Sequence, residues 1–266
     1  MNQIEKFNEN FTFYDKHRPT YIDELYCFVL NYSSFSEGKA AIEVGCGTGQ
    51  ATKPFLETGA KVTAFELGAD LADFTRNKFA GYQNLDVINQ DFMNYTTDDC
   101  SVDLIYSATA FHWVSDANTG LPGYRHAYQM LKPGGTLAVW WNNPRASGQN
   151  LELEQEIQEV YRKYAPSLAD TAGRKTAQHE RWFVTRCVNL QRLLHSNGFC
   201  DVKFELYYDW RNLTPENYIG LLHTYSDHMA LSDKERIPLF DNIQAIIEKH
   251  GSITLLDTMD LHMGRK

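Results

Sequence analysis

The feature that most constrains this chain is a turn. Residues 41–52 read Ala-Ile-Glu-Val-Gly-Cys-Gly-Thr-Gly-Gln-Ala-Thr, so a short apolar run ends in three alternate glycines, Gly45, Gly47 and Gly49. Glycine accepts positive φ and carries no Cβ, so the backbone there can reverse sharply and lie against a ligand. A strand entering such a turn and a helix leaving it predict a nucleotide-like cofactor site, with N–H groups at the helix start offered to a polar or anionic group. The dinucleotide spacing G-x-G-x-x-G is not met, because the third glycine would have to stand where Gln50 does. That argues against a nicotinamide-dependent oxidoreductase.

Apolar runs and turn residues place further elements on either side. Strands are expected over 40–44, 61–65, 85–89, 102–107, 136–141, 199–210 and 253–264. Helices are expected from Thr20, from the glycine turn to about Glu57, and over 69–79, 124–131, 150–165, 182–197, 216–226 and 233–250, with 166–180 reading as loop. Alternating strands and helices predict an α/β fold with a mostly parallel sheet. Ligands of such sheets bind at the carboxyl ends of the strands. Three places then matter besides the turn. Glu66 and Leu67 close the second strand, and a carboxylate there has two oxygens for the two hydroxyls of a ribose. Asp91 and Phe92 follow the third strand. Ala108, His112 and Trp113 follow the fourth.

Glu-Val-Gly-Cys-Gly-Thr-Gly at 43–49 resembles motif I of the class I S-adenosylmethionine-dependent methyltransferases. The resemblance extends in order over about residues 40–141. Glu66 takes the place of the ribose-binding acid, Asp91-Phe92 that of the pair at the adenine, and Leu131-Lys132-Pro133-Gly134-Gly135 that of the turn before strand five. The segment Tyr14…Arg18-Pro19…Tyr21 and the His112-Trp113 pair resemble one branch of that superfamily, which holds trans-aconitate-type and related small-molecule methyltransferases. The resemblance implies S-adenosyl-L-methionine as cofactor and a Rossmann-like, seven-stranded, mostly parallel sheet with helices on both faces. It implies cofactor contacts from Glu43, Gly45, Gly47, Gly49, Glu66, Leu67, Asp91, Phe92 and Ala108. Tyr14, His17 and Arg18 either enclose the methionyl end or belong to a surface arm held by its aromatics. The implied organisation is an arm and helix over 1–36, a cofactor-binding core over 37–143, and a part over 144–266. That last part holds the final two strands and mainly helical insertions, about 144–185 and 211–252, that form a lid.

The family reaction is in-line attack of a nucleophile on a sulfonium methyl group, for which the protein supplies binding and alignment. A hydroxyl or thiol acceptor needs a base, whereas a carboxylate is already ionised. His112 is the candidate base or substrate-positioning group, and a structural histidine is the alternative. Trp113 is expected to line the pocket. Arg181 and Arg186 are candidates to meet a substrate carboxylate.

Composition narrows the partners. Net charge is −9 with no Lys/Arg run, which argues against nucleic acid. The segment after the fourth strand, Ala-Thr-Ala-Phe-His-Trp, also lacks the Asn/Asp-Pro-Pro-aromatic segment of amino-methylating DNA enzymes. Five scattered cysteines without a C-x-x-C predict reduced thiols, no metal site and a cytoplasmic setting. No apolar run is long enough for a membrane span, and the N-terminus lacks a signal-peptide core. The expectation is a methyltransferase of a small molecule, its oligomeric state open. A relative that binds the cofactor without transferring methyl is the alternative from another class.

Overall fold

The structure is a computed structural model. It describes residues 11–97, 100–115, 122–172 and 176–266, and the side chains at 12, 170–172 and 176–182 lie outside the description. In chain order the elements are α1 (Phe11–His17), α2 (Asp23–Ser33), β1 (Ala40–Val44), α3 (Lys53–Leu56), β2 (Lys61–Glu66), α4 (Ala69–Lys78), β3 (Leu85–Asn89), β4 (Val102–Ala108), α5 (Gly123–Met130) and β5 (Leu131–Ala146). There follow α6 (Leu151–Tyr164), α7 (Pro166–Ala172), α8 (Thr176–Ser196), β6 (Cys200–Leu213), α9 (Pro215–Leu222), α10 (Ser226–Met229), α11 (Asp233–His250) and β7 (Ile253–Arg265).

The strands form one sheet in the order β3-β2-β1-β4-β5-β7-β6. β1 pairs in parallel with β2 and β4, β2 with β3, and β4 with β5. Lys266, just past the end of β7, exchanges backbone hydrogen bonds with Gly134 and Gly135 near the start of β5, so β7 runs against its neighbour. The sheet is therefore mixed. Because the order steps outward from β1 to β3 and then restarts at β4, the sheet has its switch point between β1 and β4, where a crevice for ligands is expected.

The chain divides into two compact units. The first comprises Met1–Arg18, Asn143–Val184 and Tyr208–Thr258, and the second Pro19–Asn142, Thr185–Tyr207 and Met259–Lys266. In the second unit, strand alternation feeds two cores. Ala41, Leu104, Tyr106, Ala138 and Trp140 pack with Leu25, Tyr26 and Val29 of α2 and Phe55 of α3. Ile42, Val44, Ile105, Leu137, Val139 and Trp141 pack with Tyr124, Ala127 and Met130 of α5 and Leu194 of α8. Helices therefore cover both faces. The first unit has its own core, in which Leu153, Ile157 and Tyr161 of α6 meet Leu239, Ile243 and Ile247 of α11.

Several sequence expectations need correction. The glycine turn does not run straight into a helix; α3 begins only at Lys53, with Pro54 in its first turn, and spans four residues. α2 starts at Asp23 rather than Thr20. The segment expected as loop, 166–180, contains α7, opened by Pro166, and the start of α8. Proline suits a first helical turn, where its missing N–H has no intrahelical role. Lys132–Gly135 is an irregularity inside β5, where the register with β4 shifts between Val102 and Leu104.

Candidate cofactor site

The crevice is assembled from residues that each follow a strand end in the second unit. The three glycines have separate reasons. A Cβ on Gly45 would lie 2.5 Å from the Ala110 Cβ, so the turns after β1 and β4 touch there. A Cβ on Gly49 would lie 2.3 Å from the Phe79 ring. Gly47 has φ of 58°, yet a Cβ there would meet only the Gln50 side chain at 3.6 Å. Packing thus requires glycine at two positions, while at Gly47 the backbone faces open space that a ligand can approach.

The turn is fastened by its own amides. The N–H groups of Gly45 and Cys46 donate to the Phe65 carbonyl at 2.9 and 3.1 Å, that of Gly49 to the Cys46 carbonyl at 2.8 Å, and that of Gly47 to Glu66 Oε2 at 2.9 Å. These donors are committed to the protein, and no long helix opens here, so the expected row of amides for an anion is not built. A second layer comes from elsewhere in sequence. Thr75 Oγ1 and Lys78 Nζ donate to the carbonyls of Gly47 and Thr48 at 2.7 and 3.0 Å, and the Tyr26 hydroxyl donates to the Gln50 carbonyl at 3.1 Å.

Glu66 joins the turn to the end of β2. Besides Gly47 on Oε2, the Gly68 N–H donates to Oε1 at 2.9 Å. Burial raises the carboxyl above its ordinary range, and the amides of Gly68, Gly47 and Leu67 oppose that rise. A carboxylate oxygen has two acceptor directions, and one on each is taken by the Gly47 or Gly68 amide. Leu67 beside it is 44% exposed, a free apolar face next to the carboxylate.

Glu43 sits elsewhere than a ligand contact requires. It is 1% exposed, and its Oε2 accepts from Thr52 Oγ1 at 2.7 Å and the Tyr106 hydroxyl at 3.0 Å. Burial pushes its carboxyl up to about 7. Its place is under the turn, tying β1 to Thr52 and to β4. Phe92 also departs from expectation, since at 2% exposure its ring is enclosed by Phe65 and His126 and offers no face to an adenine. Asp91 caps the short 3-10 turn 92–94, its Oδ1 accepting the Met93 N–H at 2.9 Å.

After β4 the chain strains. Ala108 is the last residue of that strand, and Thr109 adopts φ of 57°, a left-handed value that costs a β-branched residue roughly 1–3 kcal/mol. Its Oγ1 lies 2.8 Å from the Tyr21 hydroxyl and accepts the Asn142 N–H at 3.3 Å. Both polar atoms of the Asn142 side chain are buried without a hydrogen-bond partner among the described residues. The expected site contained neither Thr109 nor Asn142; the only sequence signal was their position after strands four and five. His112 is exposed and its Nδ1 accepts from the Trp141 indole at 3.2 Å, while Trp113 is 46% exposed.

Tyr14, His17 and Arg18 belong to the first unit. His17 stacks on Phe13 at 4.2 Å and presses on Gly220, where a Cβ would lie 2.2 Å from its ring. The Arg18 guanidinium lies 5.4 Å from the Tyr14 ring and 5.4 Å from the Tyr225 ring. Of the two arginines offered to a substrate, Arg186 is bound to Asp260 at 2.6 Å, and the Arg181 side chain lies outside the described residues.

Residues 41–135 match the family model described as a methyltransferase domain. An uncharacterized methyltransferase-like protein of Schizosaccharomyces pombe is 25% identical over 234 residues, 88% of this chain and 82% of that protein. The malonyl-(acyl-carrier protein) O-methyltransferase of Serratia marcescens is 27% identical over 132 residues, 50% of this chain and 48% of its own length. A candidate type II methyltransferase from Anaeromyxobacter dehalogenans shares the fold, with a TM-score of 0.60 at 18% identity over 93% of this chain and 97% of that one. The glycine turn at the switch point and the acid closing the next strand both lie within the residues that match a methyltransferase domain, and together with the relatives they support membership of the class I S-adenosylmethionine-dependent methyltransferase superfamily.

Proposed function

We propose that the chain transfers the methyl group of S-adenosylmethionine to a small-molecule acceptor, at a carboxylate or hydroxyl oxygen. The observation that carries the reading is the Glu66 carboxylate, bonded to Gly47 of the glycine turn and still able to accept from a ribose diol. Leu67 supplies an apolar face for the adenosine. Asp91, held by Met93, takes the adenine edge, and Gly47 admits the cofactor to the backbone. Glu43, Gly45 and Gly49 act through the turn, by holding it, and Phe92 acts through the core beneath. The cofactor supplies an activated methyl group, and the chain aligns it; alignment of this kind can lower a barrier by roughly 7–11 kcal/mol. His112 and Trp113, in the short turn after β4, are the groups assigned here to meet an incoming acceptor. The oxygen acceptor has support from the O-methyltransferase of Serratia marcescens, whose similarity spans half of this chain.

The test is turnover with S-adenosylmethionine and a panel of small carboxylic acids and phenols, read as S-adenosylhomocysteine formed together with a methylated product. Methyl transfer to a member of the panel is expected. Tight cofactor binding with no transfer to any acid, phenol, amine or thiol would favour the cofactor-binding relative instead.

A further inference from the structure

The turn that carries Glu66 and Leu67 is fastened from two directions. One fastening is the Glu66 carboxylate, which accepts from the N–H groups of Gly47 and Gly68 at 2.9 Å each. The other is Asn89. Its Nδ2 donates to the Glu66 carbonyl at 2.9 Å and to the Leu67 carbonyl at 3.0 Å. Both partners are acceptors only, so chemistry fixes which end of this amide is nitrogen, and both of its hydrogens are engaged. Asn89 is the last residue of β3 and stands opposite Glu66 in the parallel register. That register ends with this pair, and the amide carries the attachment of β2 to β3 one peptide further. Beyond Leu67 the chain is held again, because Gly68 is the N-cap of α4 and its carbonyl accepts from the Ala72 N–H at 2.9 Å. Asn89 itself is exposed.

We propose that Asn89 is a cofactor-positioning residue, which clamps the peptides of Glu66 and Leu67 so that the carboxylate and the apolar side chain beside it are in place before an adenosine arrives. The inference rests on the methyl-transfer reading for the identity of the ligand, while the clamp stands on its own geometry. The residue type follows from the two carbonyls. Asparagine brings two hydrogens on one nitrogen, at the reach of one methylene. Serine would bring one hydrogen, and aspartate would set a carboxylate against two carbonyl oxygens. Because the site is exposed, water can take the place of the amide at both carbonyls, so loss of the clamp costs the fold little. What it removes is order. The ligand must then fix the turn as it binds, and the loss shows as weaker affinity. Asn89 therefore acts through Glu66 and Leu67 and not through a contact of its own with the reacting atoms.

The test is a double-mutant cycle on the full chain, with S-adenosylhomocysteine titrated into the wild type, Asn89→Ala, Glu66→Ala and the double variant. Asn89→Ala should weaken binding by about fivefold to thirtyfold, the scale of one or two hydrogen bonds, with the urea midpoint close to that of the wild type. In the Glu66→Ala background the same substitution should cost less than about threefold, because the carboxylate that it places is gone; a residue that only supported the fold would cost the same in both backgrounds. Asn89→Asp should bind more weakly than Asn89→Ala. The clamp is also read without ligand, since hydrogen exchange at the Gly68 amide should quicken in Asn89→Ala. Unchanged affinity in Asn89→Ala, equal losses with and without Glu66, or unchanged exchange at Gly68 would overturn the proposal. Failure of the wild type to bind S-adenosylhomocysteine would instead strike the cofactor reading, and exchange at Gly68 would still decide whether Asn89 holds the turn.

Discussion

Glu43 turns burial into a measurable pH dependence. Its carboxyl is displaced from 4.5 to about 7, chiefly by desolvation, with hydrogen bonds from Thr52 and Tyr106 opposing the rise. At about 1.4 kcal/mol per pH unit, that displacement amounts to roughly 3 kcal/mol between the two protonation states. The folded state binds the proton more tightly than the unfolded one. The contribution is therefore fully present below pH 4.5 and is lost as pH rises through about 7. Glu43→Gln removes the titration while keeping an amide oxygen that both hydroxyls can donate to. Its two amide protons add a cost of roughly 1–3 kcal/mol if unpaired, but that cost is the same at every pH. The quantity to read is thus the change of the mutational effect with pH. Urea unfolding of both proteins at pH 5 and pH 8 should show the variant gaining about 2–3 kcal/mol on the wild type across that interval. A difference between the two proteins that is equal at both pH values would refute the buried-acid account.

Gly45→Ala places a methyl 2.5 Å from the Ala110 Cβ at φ of 72°, whereas Gly38→Ala, at φ of 83°, meets nothing within 4 Å. The first should cost roughly 1–3 kcal/mol more than the second, from overpacking on top of the same backbone strain, and equal costs in urea unfolding would deny the contact between the two turns. With an acceptor that turns over, His112→Gln should slow turnover by roughly tenfold or more while leaving S-adenosylhomocysteine affinity nearly intact, and unimpaired turnover would make His112 structural.

Local signals made much of this molecule readable before any coordinates. β1 and β3 have the expected limits because each is a short apolar run closed by turn residues. α11 begins and ends where expected, since Ser232 and Glu235 form a capping box and Gly251 takes a positive φ. What stayed hidden depends on partners far away in sequence. Arg186 looked like a group offered to substrate because its segment was expected to belong to a lid, yet Asp260 reaches it from β7. Nothing in the alternation of β7 says that both of its faces are covered, so Asp260 and His262 could not be told from solvent-facing residues. The place of His112 likewise depends on Trp141, which reaches it from β5 at hydrogen-bond distance. Phe92 failed in the opposite direction: position after β3 suggested a ligand contact, and packing against Phe65 withdrew it.

The account turns on Glu66 as the residue that joins the glycine turn to a bound ribose. Isothermal titration of S-adenosylhomocysteine into the wild type and into Glu66→Ala tests that most directly. Saturable one-site binding by the wild type is expected, with a loss in the variant of about 1–3 kcal/mol, or roughly fivefold to 150-fold in Kd. An affinity unchanged by the substitution would remove Glu66 from the site, and no binding by the wild type at millimolar ligand would contradict the cofactor itself.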